Sequence, residues 1–145
     1  LGQDETRNKW AAQSAAVDKP GRQPQGNAMF WTLSQVAIGG AIGSVLRYLT
    51  VAAFGAPWAV AAVNVLGSFV MGLLFVVLAT RAALSPVLLA GVLGGFTTFS
   101  AFSLDALKLW QSGQTVQAVL YVGLSVGLSL LAVALGAALA KGALG

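Results

Sequence analysis

The chain has 145 residues, of which 57% are apolar and only 8% charged, with a mean hydropathy of +0.82. A soluble domain carries about 25% charged residues because its surface must be wetted. This composition therefore excludes an ordinary globule, a disordered chain and, with no cysteine, a disulfide-stapled domain. His is absent as well, so imidazole bases, thiolate metal sites and Cys nucleophiles have no raw material, and no enzymatic activity is expected.

Residues 1 to 28 hold seven of the twelve charges, together with Pro20, Pro24, Gly21 and Gly26. They lack the apolar core of a signal peptide and bury too little surface to fold. The segment is expected to be a polar disordered tail or an added extension, with Met29 a candidate for the original start. The domain proper is residues 29–145.

Four apolar stretches follow. The first runs from about Met29 to Phe54 and stops at Gly55-Ala56-Pro57; the second runs from about Trp58 to Thr80, with Arg81 to Pro86 as a turn. The third starts near Pro86, which suits a first helical turn, and reaches about Trp110; the fourth runs from about Thr115 to Ala140. Each is roughly 22 to 26 residues, enough to cross about 30 Å of hydrocarbon as a helix. Trp31, Trp58 and Trp110 lie near stretch ends, where interfacial aromatics belong. The expected fold is an all-α membrane protein with four transmembrane helices.

After residue 28 the charges are Arg47, Arg81, Asp105, Lys108 and Lys141. They form no basic cluster able to track a phosphate backbone, so the high pI does not point to nucleic acid. With four spans, Arg81 and Lys141 fall on one side and Arg47 and Lys108 on the other. A native tail would add Arg7, Lys9, Lys19 and Arg22 to the terminal side and break the tie; without it, two against two gives the positive-inside rule nothing to act on. The chain is then free to insert both ways and pair head to foot, or a partner fixes its orientation.

Within the spans, Gly39, Gly40 and Gly43, Gly67 and Gly72, and Gly123 and Gly127 stand at or near the small-residue spacings that let helix backbones approach in lipid. Arg47 lies near the end of the first span, where it either snorkels or offers a fixed positive charge at an aqueous vestibule. Asn64 lies in the second span with Ser68 and Met71 on its face; its amide either joins helices or donates to a dehydrated anion. The third span reads Gly94-Gly-Phe-Thr-Thr-Phe-Ser-Ala-Phe-Ser103. A glycine pair followed by Thr-Thr is poor helix material. The stretch is either a glycine-kinked helix with packing phenylalanines or a break whose carbonyls and N–H groups are free to meet ions. Phe99 and Phe102 share a helical face, and aromatic ring edges are positive. Tyr121, Ser125 and Ser129 place three hydroxyls on one face of the fourth span.

These motifs, spread over about residues 36 to 140, resemble the Fluc/CrcB family of fluoride channels: Gly39-Gly-Ala-Ile-Gly43-Ser-Val-Leu-Arg47-Tyr48, Asn64-Val-Leu-Gly67-Ser68-Phe-Val-Met-Gly72, and most specifically Gly94 to Ser103. The resemblance implies an antiparallel, dual-topology homodimer in the inner (plasma) membrane, exporting fluoride passively through two pathways. It implies a third helix broken mid-membrane, with the carbonyls of Gly94 and Thr97 from both subunits holding a central structural Na⁺. Asn64, Phe99, Phe102, Tyr121, Ser125 and Ser129 would form the fluoride pathway and Arg47 the vestibule. Ala101 departs from the family's usual Thr, which puts side-chain hydrogen bonding at the break in question. The competing expectation is a small four-span proton-coupled multidrug or cation transporter, which needs an embedded carboxylate; Asp105 is the one acidic residue available. A third is a non-transporting assembly subunit, in which the glycines, Asn64 and the serines serve packing alone.

Overall fold

A computed structural model describes residues 26–79 and 84–144. The expected tail, apart from its last three residues, lies outside the described residues, as does Arg81 in the turn after the second stretch. The chain divides into two units, residues 1–30 and 31–145. The described part of the first is the helical stretch 26–30; the rest of the helical structure belongs to the second.

The elements are α1 (Gly26–Phe54), α2 (Trp58–Val77), α3 (Pro86–Leu93, a π-helix), α4 (Gly94–Phe96), α5 (Phe99–Gln111) and α6 (Thr115–Leu144). Four helical runs, with α3 to α5 taken as the third, are long and apolar enough to cross a membrane. Their ends follow the breakers in the sequence. Gly55 takes a left-handed φ of 81°, and its N–H closes α1 onto the Val51 carbonyl at 2.9 Å. A side chain there would clash with the backbone, which is why glycine ends the helix. Gly113, at φ 78°, does the same for α5. The Gly113 N–H donates to the Trp110 carbonyl at 3.1 Å and the Gln114 N–H to the Leu109 carbonyl at 3.0 Å, the paired bonds of a Schellman cap. Pro86 opens α3, where its missing N–H removes no helical bond. At the first helix the structure extends the expected start, from about Met29 back to Gly26.

Packing rests on small residues. A Cβ on Gly72 would strike the Val133 carbonyl of α6, and one on Gly136 the Phe69 carbonyl of α2. The two glycines thus face each other's helix reciprocally and let α2 and α6 pack backbone to backbone. Gly39 and Gly43 of α1 do likewise against Val87 and Val92 of α3. Gly123 and Gly127 do not: a Cβ at either meets nothing within 4 Å. At one end, Val60, Phe102 and Tyr121 form a buried cluster, with the Trp58 ring set edge-on to Tyr121 at 5.8 Å.

Candidate functional site

The site grows from the backbone between α4 and α5. Thr97 (φ −77°, ψ 155°) and Thr98 (φ −154°, ψ 121°) are both extended, a conformation that β-branched residues favour. Thr98 then caps α5: its Oγ1 accepts from the Ala101 N–H at 3.2 Å. That cap uses the backbone of residue 101, so it stands without the hydroxyl that Ala101 lacks. The Thr97 N–H and Oγ1 both donate back to the Leu93 carbonyl, at 3.0 and 2.9 Å.

Asn64 of α2 grips Thr98 from the side. Its Nδ2 donates to the Thr98 carbonyl at 3.0 Å, and its Oδ1 accepts from the Thr98 N–H at 2.8 Å. One amide N–H of Asn64 remains beyond this exchange. Arg47, half-buried on α1, donates from Nε to the Gly95 carbonyl at 3.1 Å.

Buried backbone groups need partners, so where the helical bonds go is a matter of accounting. In an unbroken α-helix the Gly94 carbonyl would receive the Thr98 N–H, and the Thr97 carbonyl the Ala101 N–H. Here Asn64 takes the first donor and Thr98 Oγ1 the second. Both carbonyls are deprived of their helical donors, and Gly94 and Thr97 also border the same cavity. Hard cations are held by such oxygens, so the two residues fit the Na⁺ that the family resemblance implies. Among the described residues, no group of three or more His, Cys, Asp or Glu offers a competing metal site.

The cavity has a volume of about 540 Å³ and brings together Asn64, Ser68, Phe99, Phe102, Ser125 and Ser129 from α2, α5 and α6. Among the described residues, no Asp, Glu, Lys or Arg lines it. The Phe99 and Phe102 rings lie 5.3 Å apart at 46°, but their surroundings differ: Phe102 is 6% exposed and Phe99 76%. Tyr121 stands behind this pair and does not line the cavity; it is fully buried with its ring 5.4 Å from Phe102. The buried hydroxyls Tyr121 Oη and Ser129 Oγ have no hydrogen-bond partner among the described residues.

Five of the six expected pathway residues thus meet at one cavity, and Tyr121 backs it. Asp105 is buried outside it, 3.8 Å from the Lys108 ammonium. Sequence reasoning missed Thr98 and Gly95 as the groups that Asn64 and Arg47 hold. A Thr directly before the apolar face of α5 was a readable cap signal; the choice of Gly95 over its neighbours had none. It also missed Gly136, whose partner Gly72 lies on another helix.

A family model described as CrcB-like protein, Camphor Resistance (CrcB), matches residues 34–137. The chain is 52% identical over 121 residues to the fluoride-specific ion channel FluC of Cereibacter sphaeroides (strain ATCC 17029 / ATH 2.4.9), covering 79% of this chain and 98% of that protein. Against the fluoride-specific ion channel FluC of Ruegeria sp. (strain TM1040) the identity is 51% over 126 residues, covering 80% and 99%. Against that of Rhizobium meliloti (strain 1021) it is 48% over 116 residues, covering 73% and 93%.

Proposed function

The chain belongs to the CrcB family, and on that premise we propose that it is a fluoride-selective channel through which fluoride leaves the cell passively. One observation carries this reading: a cavity lined by an amide, hydroxyls and two phenylalanines, with no charged residue among its described lining. Fluoride is small and strongly hydrated, so a path through lipid must replace its water with close donors. Asn64 has an N–H left after gripping Thr98, Ser125 and Ser129 offer hydroxyls, and ring edges of Phe99 and Phe102 add positive potential without formal charge. A row of buried cations would instead trap the anion, since charges attract far more strongly at low dielectric.

In this proposal the protein works in the plasma membrane as an antiparallel homodimer of dual topology. The third span is broken at Thr97–Thr98 near mid-membrane, and a central Na⁺ sits among the Gly94 and Thr97 carbonyls of both subunits. The cation supplies fixed positive potential beside the path. The exposure of Phe99 supports a second subunit covering that ring, and the Ser129 hydroxyl, which has no partner among the described residues and belongs to a cavity-lining residue, supports a donor available to an ion.

Fluoride and chloride efflux from liposomes holding the purified protein tests the function. Rapid fluoride efflux, slow chloride efflux and indifference to a pH gradient are expected. Equal rates for the two anions would remove the selectivity, and flux strictly coupled to protons would move the protein to the transporters.

A further inference from the structure

Arg47 continues a seam of close approach. A Cβ on Gly39 would meet the Val87 carbonyl, and one on Gly43 the Val92 carbonyl and the Phe96 nitrogen. Four residues beyond Gly43, on the same helical face, the Arg47 Nε donates to the Gly95 carbonyl at 3.1 Å. The glycines bring α1 so near α3 and α4 that a side chain from the next turn reaches the backbone just before the extended pair.

That backbone holds a row of carbonyls deprived of helical donors. The regular donor to Gly95 is the Phe99 N–H, which starts α5 beyond the extended residues. Asn64 and Thr98 have diverted the donors of Gly94 and Thr97. Arg47 therefore satisfies the carbonyl of Gly95 and leaves those of Gly94 and Thr97. Its positive charge is no help to a neighbouring cation, because like charges repel. Its value there lies in the directed N–H.

We propose that Arg47 is a positioning residue: its Nε holds the Gly95 carbonyl so that the carbonyls of Gly94 and Thr97 remain turned to a cation. The inference rests on the reading of those two carbonyls as Na⁺ ligands. It assigns the contact to a donor rather than to an anion-attracting charge.

Three substitutions separate donor from charge. Gln carries its Nε2 the same number of bonds from the backbone as the Arg Nε, and it is neutral. Lys keeps the charge but places its nitrogen one bond further out, and Met keeps neither donor nor charge. The first readout is the thermal midpoint of the full chain in detergent, titrated with Na⁺ against choline; the second is fluoride flux in liposomes at the same Na⁺ concentrations. Losing a hydrogen bond from a charged donor is expected to weaken the Na⁺ half-saturation about tenfold in Arg47→Met. Arg47→Lys should shift with it, and Arg47→Gln should stay within about threefold of the parent.

A parent-like Arg47→Lys beside an impaired Arg47→Gln would overturn the proposal in favour of charge. Three parent-like variants, or three equally impaired ones, would overturn it too. Should Arg47→Met fail to fold, the Gln and Lys pair decides alone. A parent protein that Na⁺ does not stabilise overturns the inference as well. Stabilisation by Na⁺ without fluoride flux leaves it standing and removes only the channel reading.

Discussion

Asn64 and Thr98, 34 residues apart, exchange two hydrogen bonds: Nδ2 to the Thr98 carbonyl at 3.0 Å and the Thr98 N–H to Oδ1 at 2.8 Å. A side-chain amide thus substitutes for the backbone bonds that Thr98 would make in a helix. The exchange keeps Thr98 extended, withholds its N–H from Gly94 and fixes one end of the cavity. Asparagine suits this because it carries a donor and an acceptor on one planar group.

Asn64→Ala leaves the half-buried N–H and carbonyl of Thr98 without these partners. Unsatisfied groups of this kind cost about 1–3 kcal/mol each. The thermal midpoint in detergent should fall accordingly, and fluoride flux should drop by about tenfold or more. A variant as stable and as active as the parent would remove Asn64 from the brace.

Phe102→Ile exchanges a buried ring for a smaller apolar side chain, a change that cores accommodate for about 1–3 kcal/mol. The protein should still fold and elute at the parent size on gel filtration. Fluoride flux should fall severely, because the aliphatic side chain has no positive edge. Normal flux would withdraw Phe102 from the pathway.

Ser129→Ala and Tyr121→Phe each delete a buried hydroxyl that has no partner among the described residues. Relieving an unpaired polar group should leave stability unchanged or raise it by up to about 1 kcal/mol. Flux should fall in Ser129→Ala, whose residue lines the cavity, and less in Tyr121→Phe, whose ring sits behind Phe102. Chemical stability curves beside liposome efflux measure both sides of this trade.

Gly43→Ala would push a methyl group into the Val92 carbonyl and the Phe96 nitrogen. Overpacking of this kind costs about 1–3 kcal/mol, here at the contact that carries Arg47 to Gly95. Gly40→Ala, where a Cβ meets nothing within 4 Å, is the control on the same helix and should stay within about 0.5 kcal/mol of the parent. Thermal melts of the two variants side by side check the difference.

The sequence by itself determined the number of spans and, at Gly55 and Gly113, where two of them stop, whereas the second helix ends at Val77 and the last runs on to Leu144. Hydropathy adds up along the chain, and breakers act on their own backbone. Gly55, Pro86 and Gly113 mark helix ends because a left-handed φ or a missing N–H is a local property. Most residues of the site were also legible, because an amide, an arginine and a Gly-Gly-Phe-Thr-Thr stretch stand out in apolar text.

Tertiary structure alone decided who meets whom. The Arg47–Gly95 bond spans 48 positions, and nothing in the text separates Gly95 from Gly94 as its acceptor. Gly43 proved to be packed and Gly123 open, although both read as small residues at helical spacing. Tyr121 shares a face with Ser125 and Ser129, yet Phe102 stands in front of it. The physical reason is common to all three. In a soluble helix a polar face reveals its rotation, but here lipid and neighbouring helices are equally apolar. Rotation and register are therefore set by close packing and by a handful of hydrogen bonds between distant residues, and those exist only once the chain has folded.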